Sequence, residues 1–88
     1  VFIIFERFSM TDVTPAQSRA ARGLLDWSQS ELAKHSNLGE STIRDFEKGR
    51  RVPTINNLAA IKSAFERAGV RFHSEYESIG VSLIFKKD

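Results

Sequence analysis

The sequence contains no cysteine, so it can form neither a disulfide framework nor a zinc site built from thiolates. Its two histidines, His35 and His73, are too few for a structural metal site and have no partners at the spacing of a catalytic triad. No apolar segment is long enough to cross a membrane. In addition, no recognisable motif places a nucleophile beside a base, and the sequence has no glycine-rich phosphate loop. We therefore expect no metal, no cofactor, no enzymatic activity and no membrane partner.

The chain is short and its net charge is small. Its 88 residues fit one domain. The 13 basic side chains slightly outnumber the 11 acidic ones, which gives a formal net charge of +2. The isoelectric point of about 9.3 suits a polyanionic partner, although many soluble domains share this balance. The positions of the basic residues are therefore more informative than their number.

Residues 27–49 have the pattern of two short helices joined by a tight turn. Ser28 can cap a helix over residues 29–35, and Gly39 can cap a second helix over residues 40–48. Asn37, between them, is one of the few non-glycine residue types that tolerate a left-handed conformation. The apolar inner face comprises Leu32, Leu38, Ile43 and Phe46, and Ala33 lies where two crossing helices need a small side chain. This pattern predicts a helix-turn-helix, in which the outward side chains of the second helix are mostly polar.

A further helix is predicted before this segment. Thr14 followed by Pro15 is a strong start signal, with threonine as the N-cap and proline at the first helical position. The apolar residues at helical spacing are Ala16, Ala20, Leu24 and Trp27. Gly23 either lets another backbone pack closely or simply weakens the helix, and we favour close packing.

After the central segment, Thr54 is predicted to cap a fourth helix, which Gly69 ends in a left-handed conformation. Its buried stripe comprises Leu58, Ile61, Phe65 and Ala68. From residue 70 the apolar period changes to two, which predicts a C-terminal β-hairpin over residues 70–88 with a longish loop at residues 74–78.

The chain is thus divided into an N-terminal strand or arm (1–13), a helical domain (14–69) and a hairpin (70–88). Residues 1–8 are β-branched and aromatic, and a two-stranded hairpin is marginal alone, so we expect this arm to extend the hairpin into a three-stranded sheet. An exposed apolar sheet edge tends to pair with another chain. We therefore predict a homodimer whose interface includes residues 1–8 or 81–85.

Residues 14–22, 27–33 and 41–53 carry a specific combination of motifs, S-Q-x-E-L-A followed by T-I-x-x-F-E-x-G-x-R-x-P. These stretches resemble the Xre family of helix-turn-helix regulators, which includes the small phage repressors and the Cro proteins. The resemblance implies a mainly α, four-to-five-helix DNA-binding domain, here with a small terminal β-hairpin or three-stranded sheet. It also implies binding to operator DNA and regulation of transcription.

Five outward residues of the second motif helix are candidates for contacts with base edges: Glu40, Ser41, Thr42, Arg44 and Asp45. Arg44 can form a bidentate contact with guanine, and Glu40 can accept a hydrogen bond from the cytosine amino group. Glu40 has an alternative role, because a carboxylate is also favourable at a helix N-terminus. An unpaired carboxylate near phosphates lowers affinity, which is an objection to both Glu40 and Asp45.

Other polar residues flank this helix and are candidates for phosphate contacts. The resemblance implies that Gln29 binds a backbone phosphate, whereas the alternative is a solvated residue after a cap. The candidates after the second helix are Lys48, Arg50, Arg51, Thr54, Asn56 and Asn57. Their alternative role is a solvated face. The resemblance also implies a structural salt bridge between Arg22 and Glu47.

These features predict a sequence-specific regulator that binds double-stranded DNA, acts as a repressor, and works as a homodimer on a palindromic site in the cytoplasm, at the nucleoid. Two alternatives remain open. One is an antitoxin-type regulator that also binds a partner toxin, and the other is a protein-interaction module without DNA binding. Binding to random duplex DNA that weakens steeply with salt would exclude the last alternative.

Overall fold

The computed structural model describes residues 13–84 of the chain. These residues form the helices α1 (Pro15–Leu25), α2 (Gln29–Ser36), α3 (Glu40–Glu47) and α4 (Ile55–Arg67), followed by the strands β1 (Val70–Glu75) and β2 (Ser78–Leu83). The prediction of a mainly helical fold with a small β-hairpin is confirmed. The predicted N-terminal strand and third strand of the sheet, together with Phe85, lie outside the described residues.

The helices begin where the capping signals predict. Thr14 and Ser28 each accept a hydrogen bond from the backbone three residues later, and the side chain at that later position bonds back to complete a capping box. Thr54 accepts a hydrogen bond from the third backbone N–H of α4 at 3.1 Å. Gly39 precedes α3 in an extended conformation and provides no side-chain cap. Three of the four helix starts are therefore fixed by a local side chain.

The first three helices end in the same way, with one left-handed residue that lets the next backbone N–H reach back into the last turn. The left-handed residues are Asp26 (φ 59°), Asn37 (φ 60°) and Gly49 (φ 72°). The closing bonds run from Trp27 to Arg22, from Leu38 to Ala33 and from Arg50 to Asp45, each at 2.9 Å. The prediction for Asn37 is confirmed, whereas the same role of Asp26 was not foreseen.

The hydrophobic core lies between the helices and the hairpin. α2 packs against α3 and α4, α1 packs against α3 and β2, and α4 packs against β1. The largest fully buried apolar side chains are Leu32, Ile43, Ile61, Phe65 and Val70. In the part of the chain that the structure describes, every helix is too short or too polar to cross a lipid bilayer.

The buried face of α1 is largely polar, which corrects the prediction made from apolar spacing. Its buried residues are Gln17, Ser18 and Ala21. The exposed residues of this helix include Ala16, Ala20, Gly23 and Leu24, while Trp27 lies beyond the helix end. The close packing predicted at Gly23 is also wrong, because a Cβ placed there would meet no atom within 4 Å.

The hairpin is tighter than predicted. β1 and β2 pair antiparallel from Val70 opposite Leu83 to Glu75 opposite Ser78. This register leaves only Tyr76 and Glu77 as the turn, so the longish loop expected from the polar composition is largely strand. Polar residues here continue the strands because the exposed face of a hairpin favours them.

Gln17 attaches the hairpin to α1. Its Nε2 donates to the backbone oxygens of His73 at 3.2 Å and Gly80 at 3.0 Å, which are paired across the two strands. Its Oε1 accepts from the backbone N–H of Thr14 at 3.0 Å. Both hydrogens and the oxygen of this buried amide are therefore bonded.

We predict that Gln17→Met lowers the free energy of unfolding by about 2 kcal/mol, because methionine keeps most of the volume but removes the bonds to both strands. Urea unfolding at neutral pH measures the change. Ala20→Met, at an exposed position of the same helix, is the control and should change stability little. A Gln17→Met variant as stable as the control would show that the amide does not fix the hairpin.

Candidate nucleic-acid interface

The last residue of α3, Glu47, has a carboxylate that is enclosed by side chains of α1 and α2. The residue is 2% exposed. Arg22 donates hydrogen bonds to both carboxylate oxygens, with Nη2 2.8 Å from Oε1 and Nε 2.9 Å from Oε2. Ser18 donates to Oε2 at 2.5 Å, and the Gln29 amide donates to Oε1 at 3.1 Å. We call Ser18, Arg22, Gln29 and Glu47 the Glu47 cluster; it contains the ion pair that the resemblance implies.

The cluster keeps Glu47 ionised. Burial alone would raise the pKa of this carboxyl, but hydrogen bonds from Arg22, Ser18 and Gln29, together with the charge of Arg22, outweigh burial and hold the pKa below its ordinary value of 4.5. At neutral pH the carboxylate is therefore charged, bidentately paired and fully hydrogen-bonded. A buried carboxylate that lacked a counter-charge or hydrogen-bond donors would destabilise the fold.

A backbone contact from α1 also fixes the C-terminal end of α3. Arg19 donates from Nη1 to the backbone oxygen of Glu47, which has no partner inside the helix. Arg22 uses its remaining nitrogen to bond the backbone oxygen of Trp27 at 3.1 Å. Sequence reasoning missed Ser18 and Arg19, although Ser18 and Arg22 are four residues apart and thus share one face of α1.

The outward face of α3 carries the five predicted base-contact residues. Glu40, Ser41 and Arg44 are exposed. Thr42 and Asp45 are half-buried. None of these five side chains forms a hydrogen bond or an ion pair with any described residue. The opposite face of the helix is buried through Ile43 and Phe46. α3 therefore has one face fixed in the core and one polar face without intramolecular partners.

The predicted phosphate-contact residues lie on two sides of this face. Lys48, Arg50 and Arg51 are exposed and follow α3 directly, where the left-handed Gly49 turns the chain. A shallow groove between α3 and the start of α4 brings Arg51, Thr54 and Asn57 together with Thr42. Asn56 is exposed in the first turn of α4 and does not line this groove. Gln29 lies apart from this set, at the Glu47 cluster.

Basic residues outnumber acidic ones on this side of the molecule. The basic residues Arg44, Lys48, Arg50 and Arg51 accompany the acidic residues Glu40 and Asp45. Within the described residues the structure contains one ion pair, that of Arg22 with Glu47, so none of these six side chains forms an ion pair with a described neighbour. Unpaired cations beside a polar helix face suit a polyanionic partner.

The family model described as "Helix-turn-helix" matches residues 19–68 of the chain. The match begins within α1 and ends just after α4, so it includes α2, α3 and the turn between them. It also contains Arg22, Gln29 and Glu47 of the Glu47 cluster. No curated protein is significantly similar to the chain.

We predict that Glu47→Gln is destabilised at pH 7 by on the order of 3 kcal/mol, because Arg22 then remains partly buried without a counter-charge. Because folding lowers the pKa of Glu47, its ionisation stabilises the protein above the ordinary value of 4.5, and this contribution is lost as the pH falls through the lower pKa of the folded state. The difference between wild type and Glu47→Gln in urea unfolding should therefore shrink as the pH decreases below 4.5.

Glu66→Gln, which changes an exposed glutamate of α4, is the control and should behave like wild type throughout. A stability difference for Glu47→Gln that is the same at neutral and acidic pH would contradict the assignment of an ionised, paired carboxylate.

Proposed function

The chain belongs to the helix-turn-helix family of Xre, Cro and phage repressor-like regulators, which bind DNA, and we propose that it is a sequence-specific transcriptional repressor that acts as a homodimer. In this proposal α3 is the recognition helix and lies in the major groove of double-stranded DNA at the nucleoid. The observation that carries the proposal is the contrast between the two sides of α3. Its end is fixed by the Glu47 cluster, while its outward polar side chains have no partner among the described residues.

Base reading requires a helix whose position is set before DNA binds, because donor and acceptor patterns differ between base pairs by small displacements. The core residues Ile43 and Phe46 fix one face of α3, and the cluster fixes its last residue. Arg44 is exposed in the middle of the outward face and can donate two parallel hydrogen bonds to guanine. Ser41 and Thr42 offer hydroxyl groups, and Glu40 offers an acceptor for the cytosine amino group.

Phosphate contacts would fix the register of the protein on the duplex. The segment between α3 and α4 supplies Lys48, Arg50 and Arg51, all exposed. Thr54 uses its hydroxyl oxygen to accept the hydrogen bond of the α4 cap, so its hydroxyl hydrogen remains available for a phosphate oxygen. Asn56 and Asn57 belong to the first turn of α4 and complete the proposed backbone contact.

The most direct test of the function is binding to duplex DNA. Fluorescence anisotropy with a random-sequence duplex should show binding at low salt that weakens steeply as salt rises. A selection from a random duplex library should then recover a preferred, palindromic site. Lack of any binding to duplex DNA at low salt would exclude the proposed function.

We predict that Arg44→Ala lowers affinity for the selected site by about 1–3 kcal/mol and relaxes the preference at one base pair. Arg44→Lys is the control, since it keeps the charge but cannot form the bidentate contact, so it should lose the preference while retaining affinity for random duplex. An equal loss on every sequence for Arg44→Ala would instead identify a phosphate contact.

We predict that replacing Arg50 and Arg51 together by alanine weakens binding to all sequences and reduces the magnitude of the salt slope by about 2, because two phosphate contacts are lost. The matched control removes two basic side chains elsewhere, Lys62 and Arg71, and should leave the slope unchanged. An unchanged slope in the Arg50 and Arg51 variant would exclude these residues from the interface.

The homodimer is proposed because an eight-residue recognition helix contacts few base pairs, and a second copy doubles the site. Among residues 13–84 the sheet has two strands, each with an edge that no described strand pairs, and Ile79 on β2 and the adjacent Ile84 are exposed. We predict that a chain beginning at Met10 sediments as a monomer when residues 1–8 form the interface. A folded truncated chain that is as dimeric as the full chain would restrict the interface to residues 81–85 or to the helices.

A further inference from the structure

Gln29 is the first residue of α2 and connects this helix to the buried carboxylate of Glu47. Its Nε2 lies 3.1 Å from Glu47 Oε1, and its side chain is half-buried. The other side chains that bind this carboxylate, Ser18 and Arg22, both come from α1. Among the described residues, Gln29 is therefore the one α2 side chain that is hydrogen-bonded to α3.

The Gln29 amide has hydrogen-bonding capacity to spare. An amide nitrogen carries two hydrogens, and Glu47 accepts one of them. No described residue accepts the second hydrogen, and the side chain reaches solvent. A phosphate oxygen is a strong acceptor for such a hydrogen, because the bond is charge-assisted.

We propose that Glu47 is a positioning residue for a phosphate contact: its buried carboxylate holds the Gln29 amide so that the second Nε2 hydrogen is presented to a DNA phosphate. A free glutamine side chain loses rotamer freedom when it binds, and this loss opposes binding. The bond to Glu47 removes that freedom before DNA arrives. The inference rests on the proposed function, since its ligand is duplex DNA.

Ser18 binds the other oxygen of the same carboxylate, Oε2, whereas Gln29 binds Oε1. Ser18 is fully buried, so it cannot contact DNA itself, and its hydroxyl donates to Glu47 Oε2. Ser18→Ala should therefore position Glu47 less firmly. Because Glu47 holds the Gln29 amide, the phosphate contact of Gln29 should weaken as a result. Once the Gln29 amide is removed, the same Ser18 substitution should have little further effect on the phosphate contact.

The test is a double-mutant cycle on random-sequence duplex, whose binding reports backbone contacts rather than base contacts. The dissociation constant is measured for wild type, Ser18→Ala, Gln29→Met and the double variant, at a temperature where thermal unfolding shows each of them folded. Gln29→Met should weaken binding on the order of tenfold. Its salt slope should equal that of wild type, because a neutral amide displaces no counterion as a lysine or arginine does.

Ser18→Ala should weaken binding on the order of threefold when Gln29 is present and negligibly when position 29 is methionine. Ser36→Ala is the matched control, since Ser36 is a buried serine whose hydroxyl bonds the backbone oxygen of Leu32 within its own helix. Its effect should be the same in both backgrounds. An equal effect of Ser18→Ala in both backgrounds, or a Gln29→Met variant that binds random duplex like wild type, would overturn the inference.

A second measurement uses the wild-type chain and does not depend on any variant folding. Gln17 and Gln29 are the only glutamines in the sequence, so NMR can follow their side-chain amide hydrogens separately. Adding random duplex should slow solvent exchange of Gln29 and leave Gln17 unchanged, because both Gln17 hydrogens are already bonded.

DNA binding and the Gln29 phosphate contact are tested separately. A protein that binds no duplex refutes the proposed function and this inference with it. A protein that binds duplex while the Gln29 amide exchanges as before refutes this inference alone.

Discussion

The ion pair between Arg22 and Glu47 is the contact on which the arrangement of α1, α2 and α3 depends. A carboxylate removed from water is tolerated only when its charge is paired and its oxygens are hydrogen-bonded. Here Arg22 and Ser18 from α1 and Gln29 from α2 meet at the end of α3, and these contacts outweigh the effect of burial on the pKa of Glu47. Because an alternative packing would leave the charge unpaired, the cluster selects one orientation of α3.

The polar character of α1 follows from the same constraint. Its buried residues Gln17 and Ser18 point to different partners: Gln17 bonds the hairpin, and Ser18 bonds the end of α3. α1 therefore links the hairpin to α3 by directional contacts, while the apolar core lies mostly among α2, α3, α4 and β1. In a protein with a small core, buried polar groups whose hydrogen bonds are all formed select one packing of the helices.

The local elements could be predicted from the sequence because their signals are local. Thr14, Ser28 and Thr54 cap helices by bonding backbone groups three residues away, and Asn37 adopts the left-handed conformation expected of it. The buried face of α1 could not be predicted by apolar spacing, since that rule assumes that buried residues are hydrophobic. Gln17 was missed because its partners, His73 and Gly80, are distant in sequence and are brought close only by the fold. The contacts proposed for the outward face of α3 belong to a partner, so the packing of the chain alone does not determine them.

We propose that DNA binds the surface formed by the start of α2, the outward face of α3 and the segment leading into α4. An NMR titration of the full chain with a random-sequence duplex locates the bound DNA, because each backbone amide reports its own surroundings. We expect salt-sensitive shifts at Gln29, Arg44 and Arg51, with the hairpin residues His73 and Ser82 unchanged. Shifts centred on the hairpin, or no shifts at low salt, would contradict it.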